Sequence, residues 1–113
     1  MKTAVIGSRS VRVTDLGAYL PEGTDEIVSG GARGVDHSAR EYAVAHGLKL
    51  TEFLPDYRRY GRGAPLRRNL EIIGYADTLL AFWDGASRGT AHVIKEAEKQ
   101  GKPVRVILCT PEE

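Results

Sequence analysis

Four stretches of this chain carry side chains suited to holding an anion. They are Gly7-Ser8-Arg9-Ser10, Ser29-Gly30-Gly31-Ala32-Arg33-Gly34-Val35-Asp36, an arginine-rich run from Asp56 to Asn69, and Asp84-Gly85-Ala86-Ser87-Arg88-Gly89-Thr90. In each, small residues let the backbone approach a ligand closely, and hydroxyl or guanidinium groups supply donors to a phosphate. The last stretch follows the apolar run Thr78 to Trp83 and opens a helix, whose unpaired N–H groups point at whatever sits there. Arg9, Arg68 and Arg88 are the expected counter-charges, with Arg62 and Asn69 beside them, and Asp36 either caps its helix or holds a ribose hydroxyl. Trp83 packs at a strand end or stacks on a base. His37, His46 and His92 lack metal-like spacing and companion cysteines, so no metal site is expected.

Absent signals narrow the ligand. Neither Gly-x-Gly-x-x-Gly after the first strand nor a Walker-type loop occurs, which argues against NAD in its usual pose and against a triphosphate held by a Walker lysine. Sixteen Lys and Arg against fifteen Asp and Glu give a net charge of +1, not the footprint of a protein gripping long nucleic acid. Distribution says more: of the sixteen cations eleven are Arg, and Arg58, Arg59, Arg62, Arg67 and Arg68 fall within eleven residues. Hydrophobic residues at 42% and charged residues at 27% are ordinary globular values. The N-terminal stretch lacks the long apolar centre of a signal peptide, no apolar run has transmembrane length, and Cys109 is the sole cysteine. A cytoplasmic protein without membrane contact is the expectation, with Cys109 packing at the end of an apolar strand.

The elements that must hold these loops follow from the apolar pattern, in which strands alternate with amphipathic helices. Strands are expected at Lys2 to Ile6, Glu26 to Val28, Leu48 to Leu54, Thr78 to Trp83 and Pro103 to Leu108. A short helix is expected from Thr14 to Leu20, and a longer one from Val35, with Ala39, Tyr42, Ala43 and His46 in register and Gly47 as its left-handed cap. Asp56 to Ala64 reads as irregular. It precedes a helix with Leu66, Leu70 and Ile73 on its apolar face and Arg67 paired with Glu71 outside. A last helix buries Val93, Ile94 and Ala97 and ends at Gly101. The pattern implies one α/β domain over 1–113: a Rossmann-like three-layer α/β/α fold with a five-stranded parallel sheet of order 3-2-1-4-5. All four stretches then follow the carboxyl ends of strands, the rim where open α/β sheets bind ligands.

Ser29-Gly30-Gly31-Ala32-Arg33-Gly34-Val35-Asp36 resembles the Ser-Gly-x-Ala-x-Gly-[Ile/Val]-Asp motif of the DNA-processing protein A family. Arg68-Asn69, Ile72-Ile73, Ala76-Asp77 and Asp84 to Thr90 resemble the small YspA-like members of the SLOG superfamily, which also contains the Lonely-Guy phosphoribohydrolases. The resemblance implies a Rossmann-like domain, usually oligomeric, binding nucleotide-derived ligands at the strand carboxyl ends. Arg68 matches the catalytic Arg of the phosphoribohydrolases, but Asn69 replaces their Lys, and Val93 stands where their catalytic Glu belongs. A valine neither accepts nor donates a proton, so Asp36 or Asp84 would have to supply the carboxylate.

The expected ligand is therefore a small-molecule nucleotide or nucleotide sugar, AMP-like or ADP-ribose-like, with no required cofactor. It would lie against Gly7, Ser8, Arg9, Ser29, Gly30, Gly31, Gly34, Asp36, Arg62, Arg68, Asn69, Asp84, Gly85, Ser87, Arg88, Gly89 and Thr90. The alternatives are N-glycosidic hydrolysis of nucleoside monophosphates, with Arg68 and Asp36 or Asp84 as the catalytic pair, and single-stranded DNA binding, which the near-zero net charge disfavours.

Overall fold

The computed structural model describes residues 1–110. Five strands, β1 (Lys2–Gly7), β2 (Glu26–Ser29), β3 (Lys49–Glu52), β4 (Thr78–Trp83) and β5 (Val104–Leu108), form one parallel sheet in the order β3-β2-β1-β4-β5. Alternation along the central strands sends side chains to two separate cores, as the two-residue period of a strand requires. Ala4, Ile6, Leu79 and Ala81 meet helices α3 (Ala64–Tyr75) and α4 (Arg88–Lys99) through Ile72, Ile73, Val93 and Ala97. Val5, Leu80 and Phe82 point the other way, onto Val35, Ala39 and Ala43 of α1 (Val35–Ala45) and onto Val11 and Leu16. The expected three layers and strand order are those observed.

Three local expectations change. Thr14 to Leu20 holds only a 3-10 turn, Leu16–Ala18, with Leu16 buried and Tyr19 and Leu20 packed against the same core; Pro21 follows at once and disfavours a helical Leu20, which leaves the segment too short for an α-helix. The stretch read as irregular is helical: α2 (Tyr57–Tyr60) is capped by the Asp56 carboxylate, which accepts the Arg59 N–H at 3.1 Å, and a 3-10 turn at Gly61–Gly63 leads into α3. On α3 the buried side is Ala64, Asn69, Ile72 and Ile73, whereas Leu66 and Leu70 are exposed. The cause is α4, which packs beside α3 and turns Ile72 inward rather than Leu70. Arg67 makes no ion pair with Glu71 among the described residues; its guanidinium lies 4.9 Å from the Tyr60 ring centre.

The two rims of the sheet differ in kind. At the amino ends of the strands, Glu26 is a buried carboxylate held by the Tyr75 hydroxyl at 2.6 Å, the Thr51 hydroxyl at 2.8 Å and Lys49 Nζ at 3.6 Å. The Tyr75 hydrogen bond is the largest influence keeping its pKa below the usual carboxylate range. This rim is closed and satisfied. At the carboxyl ends, β1 passes between β4 and α1 so tightly that a Cβ on Gly7 would press on the Phe82 carbonyl and the Val35 side chain. The chain can then turn at Ser8, whose N–H donates to the Phe82 carbonyl at 3.1 Å.

Candidate functional site

A cleft of about 450 Å³ opens at the carboxyl ends of β1, β2 and β4, between the β1 loop, the β2–α1 loop, α3 and the start of α4. Its α4 wall is built by a network of short polar side chains. Asp84 Oδ1 accepts the N–H groups of Ala86 and Ser87 at 2.9 and 2.8 Å, and Oδ2 accepts the Ser10 hydroxyl at 3.0 Å. The Ser87 and Ala86 amides hold the Asp84 pKa down at about 2, so at neutral pH it is an ionised clasp on the loop. Ser8 Oγ accepts the Asp84 N–H at 3.1 Å and lies 2.8 Å from Ser87 Oγ, tying the β1 loop to the β4 loop. Trp83 does not line the cleft; its indole N–H donates to the Ser87 carbonyl at 3.0 Å and braces the same loop from behind.

The clasp leaves donors free. The backbone N–H groups of Arg88, Gly89 and Thr90, the first turn of α4, have no acceptor among the described residues. Thr90 is 6% exposed and lines the cleft, and its hydroxyl makes no hydrogen bond to the described residues. Free amides at a helix start beside a free hydroxyl can hold an anion.

The facing wall carries Arg68, Asn69 and Asp36. Arg68 Nη1 donates to the Gly30 carbonyl at 2.7 Å and to the Phe53 carbonyl at 3.3 Å, and Nε donates to Asn69 Oδ1 at 3.0 Å. A guanidinium only donates, so it fixes the Asn69 amide with its oxygen toward Arg68 and leaves the NH₂ group without an acceptor among the described residues. Asp36 Oδ2 accepts the Ala32 N–H at 3.1 Å, in the loop before the helix; it does not cap α1 as expected, because Gly34 is the N-cap and Asp36 lies inside the first turn. Burial raises the Asp36 pKa; the Ala32 N–H and the Arg68 charge pull the other way. Burial likewise lowers the Arg68 pKa against the pull of Asp36. Gly30 sits between the two: a Cβ there would collide with Arg68 Nη1 and stand 3.1 Å from Asp36 Oδ2.

Of the residues singled out from the sequence, Gly7, Ser8, Arg9, Gly30, Asp36, Arg68, Asn69, Asp84, Ser87, Gly89 and Thr90 line this cleft together. Six others do not. Ser29 is fully buried and accepts the Gly31 N–H at 3.3 Å; Gly31, with φ +71°, turns toward Leu54; Gly34 lines a neighbouring depression. Arg62, Gly85 and Arg88 are exposed outside the cleft. Reasoning from polar loops missed the apolar floor of Ile6, Ile72 and Val93 and the rim of Pro65 and Leu66. The available signal was Leu66, an apolar residue one turn off the buried face of α3.

Chemically, the cleft offers an anion cradle, one carboxyl disposed to take up a proton and a desolvated guanidinium opposite. Val93 faces it where the resembling hydrolases carry glutamate, and the Asp84 carboxylate is occupied by the loop. Among the described residues no group of three or more His, Cys, Asp or Glu is placed to hold a metal ion. His37 pairs with Glu41 at 3.3 Å and His46 stacks on Tyr42.

Gene 61 protein of Mycobacterium phage D29 is 40% identical to this chain over 84 residues, covering 69% of the chain and 67% of the phage protein. The chain belongs to the family of that phage protein. No protein-family model matches it. The fold is that of DNA processing protein A (DprA) from Streptococcus pneumoniae, whose X-ray structure superposes with a TM-score of 0.72 at 21% identity, over 96% of this chain and 50% of that one. The chain thus spans half the length of DprA. The Rossmann-like fold that the resemblance of Ser29 to Asp36 implies is the fold the two proteins share. Among the described residues no helix is long and apolar enough to cross a membrane.

Proposed function

We propose that this chain binds a nucleotide or nucleotide sugar in the cleft between α3 and α4, in the manner of a ligand-sensing SLOG domain. The observation that carries the reading is the set of free donors in one concavity: the three amides opening α4, the Thr90 hydroxyl and the Asn69 amide nitrogen. A phosphate offers enough lone pairs to satisfy the α4 group, and a ribose fits the opposite wall, where Asp36 accepts and Asn69 donates. Leu66 and Pro65 at the rim are apolar surface on which a base can rest.

Calorimetric titration with AMP and ADP-ribose tests the proposal, with Gly30→Ala as the diagnostic variant. The added methyl pushes the Arg68 guanidinium off the Gly30 and Phe53 carbonyls rather than moving backbone, so stability should fall by about 1–3 kcal/mol. The displaced Arg68 also releases Asn69 and crowds Asp36, and affinity should fall by about tenfold or more. Unchanged affinity in the variant, beside that loss of stability, would make Arg68 a clamp for the loop and nothing more. AMP should be recovered intact after incubation; free adenine and ribose phosphate would favour the hydrolytic alternative.

A second reading, single-stranded nucleic acid, is favoured by one observation. Arg58, Arg59, Arg62 and Arg67 make no ion pair among the described residues, and Arg59 and Arg67 lie 5.2 and 4.9 Å from the Tyr60 ring centre.

A further inference from the structure

Beside the nucleotide cleft lies a second depression of about 430 Å³, and the two share Arg9, Ser10 and Ala32 in their walls. Arg12, Arg33 and His37 complete its charged lining. The carboxylate within reach is Glu41, 4.0 Å from Arg12 Nη2 and 3.3 Å from His37 Nε2. Arg9 and Arg33 make neither an ion pair nor a side-chain hydrogen bond among the described residues. With Glu41 on Arg12 and His37, and Asp36 acting on Arg9 from the adjoining cleft wall, the three guanidinium groups still outnumber the carboxylates and set up a local positive potential that draws in an anion.

The arrangement is built into the backbone. Gly34 has φ +69°, and a Cβ there would stand 2.5 Å from the Arg9 carbonyl oxygen and 2.6 Å from that of Ser8. The β1 loop and the β2–α1 loop are therefore pressed together at Gly34, which brings Arg9 and Arg33, from separate loops, to the same depression. Because Arg9 belongs to both walls, one ligand can extend from the α4 cradle into this basic annex.

Resting on the nucleotide reading, we infer that cleft and annex form a composite site for a nucleotide bearing a second phosphoryl group, the first phosphate on the α4 amides and the second among Arg9, Arg12 and Arg33. Guanidinium forks suit such a group, whether it comes from a pyrophosphate-linked sugar or from the phosphodiester of a dinucleotide.

The test is calorimetric titration of the full chain at fixed ionic strength with AMP, ADP-ribose and the 5′-phosphorylated dinucleotide pApA. ADP-ribose or pApA should bind about tenfold or more tightly than AMP, about 1.4 kcal/mol, and the tighter of the two identifies the linkage. In Arg12→Ala/Arg33→Ala that advantage should vanish while AMP affinity is unchanged, which also reports that the variant is folded. If AMP binds but neither larger ligand binds more tightly, or if the double variant keeps the advantage, the composite site falls and the nucleotide reading stands. If none of the three binds, the nucleotide reading falls and takes the composite site with it.

Discussion

Asp36 does two jobs that pull its protonation in opposite directions. It accepts the Ala32 N–H, which favours the carboxylate, and it is buried in the wall of the cleft, which disfavours it; burial prevails and the folded-state pKa is raised. The folded protein therefore holds this proton more tightly than the unfolded chain, whose carboxyl keeps the ordinary value of 3.8. By linkage, Asp36 weakens the fold increasingly as pH rises from 3.8 through the raised value, and the penalty is constant above it. An asparagine at this position would keep an oxygen for the Ala32 N–H and carry no charge. Asp36→Asn is thus expected to be more stable than the parent at pH 7, with the difference closing as pH falls below 3.8, in urea unfolding at both pH values. A parent more stable at pH 7 would mean that Arg68 neutralises the carboxylate more fully than burial opposes it. The same residue shows what sequence can disclose: an aspartate two positions after a glycine turn is legible as a helix-start group, but the Arg68 charge that acts on it comes from α3, which begins at Ala64, far along the chain.

Among the elements, the loops are fixed by a few glycines that have no alternative. Gly34 is the clearest, since a side chain there meets two carbonyl oxygens of the neighbouring loop at a positive φ. Gly34→Ala should cost about 2 kcal/mol or more by chemical denaturation, whereas Gly89→Ala, with open space around its Cβ, should stay within about 0.5 kcal/mol. The strands, their order and the rim that gathers the loops were legible because β1 and β4 are near-continuous apolar runs and α1 and α4 start at the turns of Gly34 and Ser87. What was not legible had no periodicity to read. α2 is four residues, Tyr57-Arg58-Arg59-Tyr60, held by an aspartate cap and a glycine at φ +56°, with no buried face at all. α3 carries two apolar stripes, and only the packing of α4 decides that Ile72 and Ile73 go inside while Leu66 is left for the cleft. The polar half of the site followed from the loops, and its apolar half waited on that choice.

Over the whole molecule a net charge of +1 conceals an uneven distribution. Acidic side chains are committed to structure: Glu26 in the closed rim, Asp84 in the loop clasp, Glu52 on Arg40 and Asp25 on the N-terminal amine. The arginines of α2 and the start of α3 have no such partners among the described residues, next to a cleft to which α3 contributes Pro65, Leu66, Arg68 and Asn69. Net charge is then a poor guide to polyanion binding, because counterion release depends on the phosphates met locally. Arg58→Ala/Arg59→Ala/Arg67→Ala separates the readings, since none of the three lines the cleft. If the ridge carries a single strand, the logarithm of oligonucleotide affinity should fall linearly with log salt, and the triple variant should lower that slope by about 2, at about 0.7 for each phosphate it no longer neutralises. AMP affinity should not move. A slope unchanged by the triple variant would remove the ridge from nucleic-acid binding and leave its arginines as a solvated face around Tyr60.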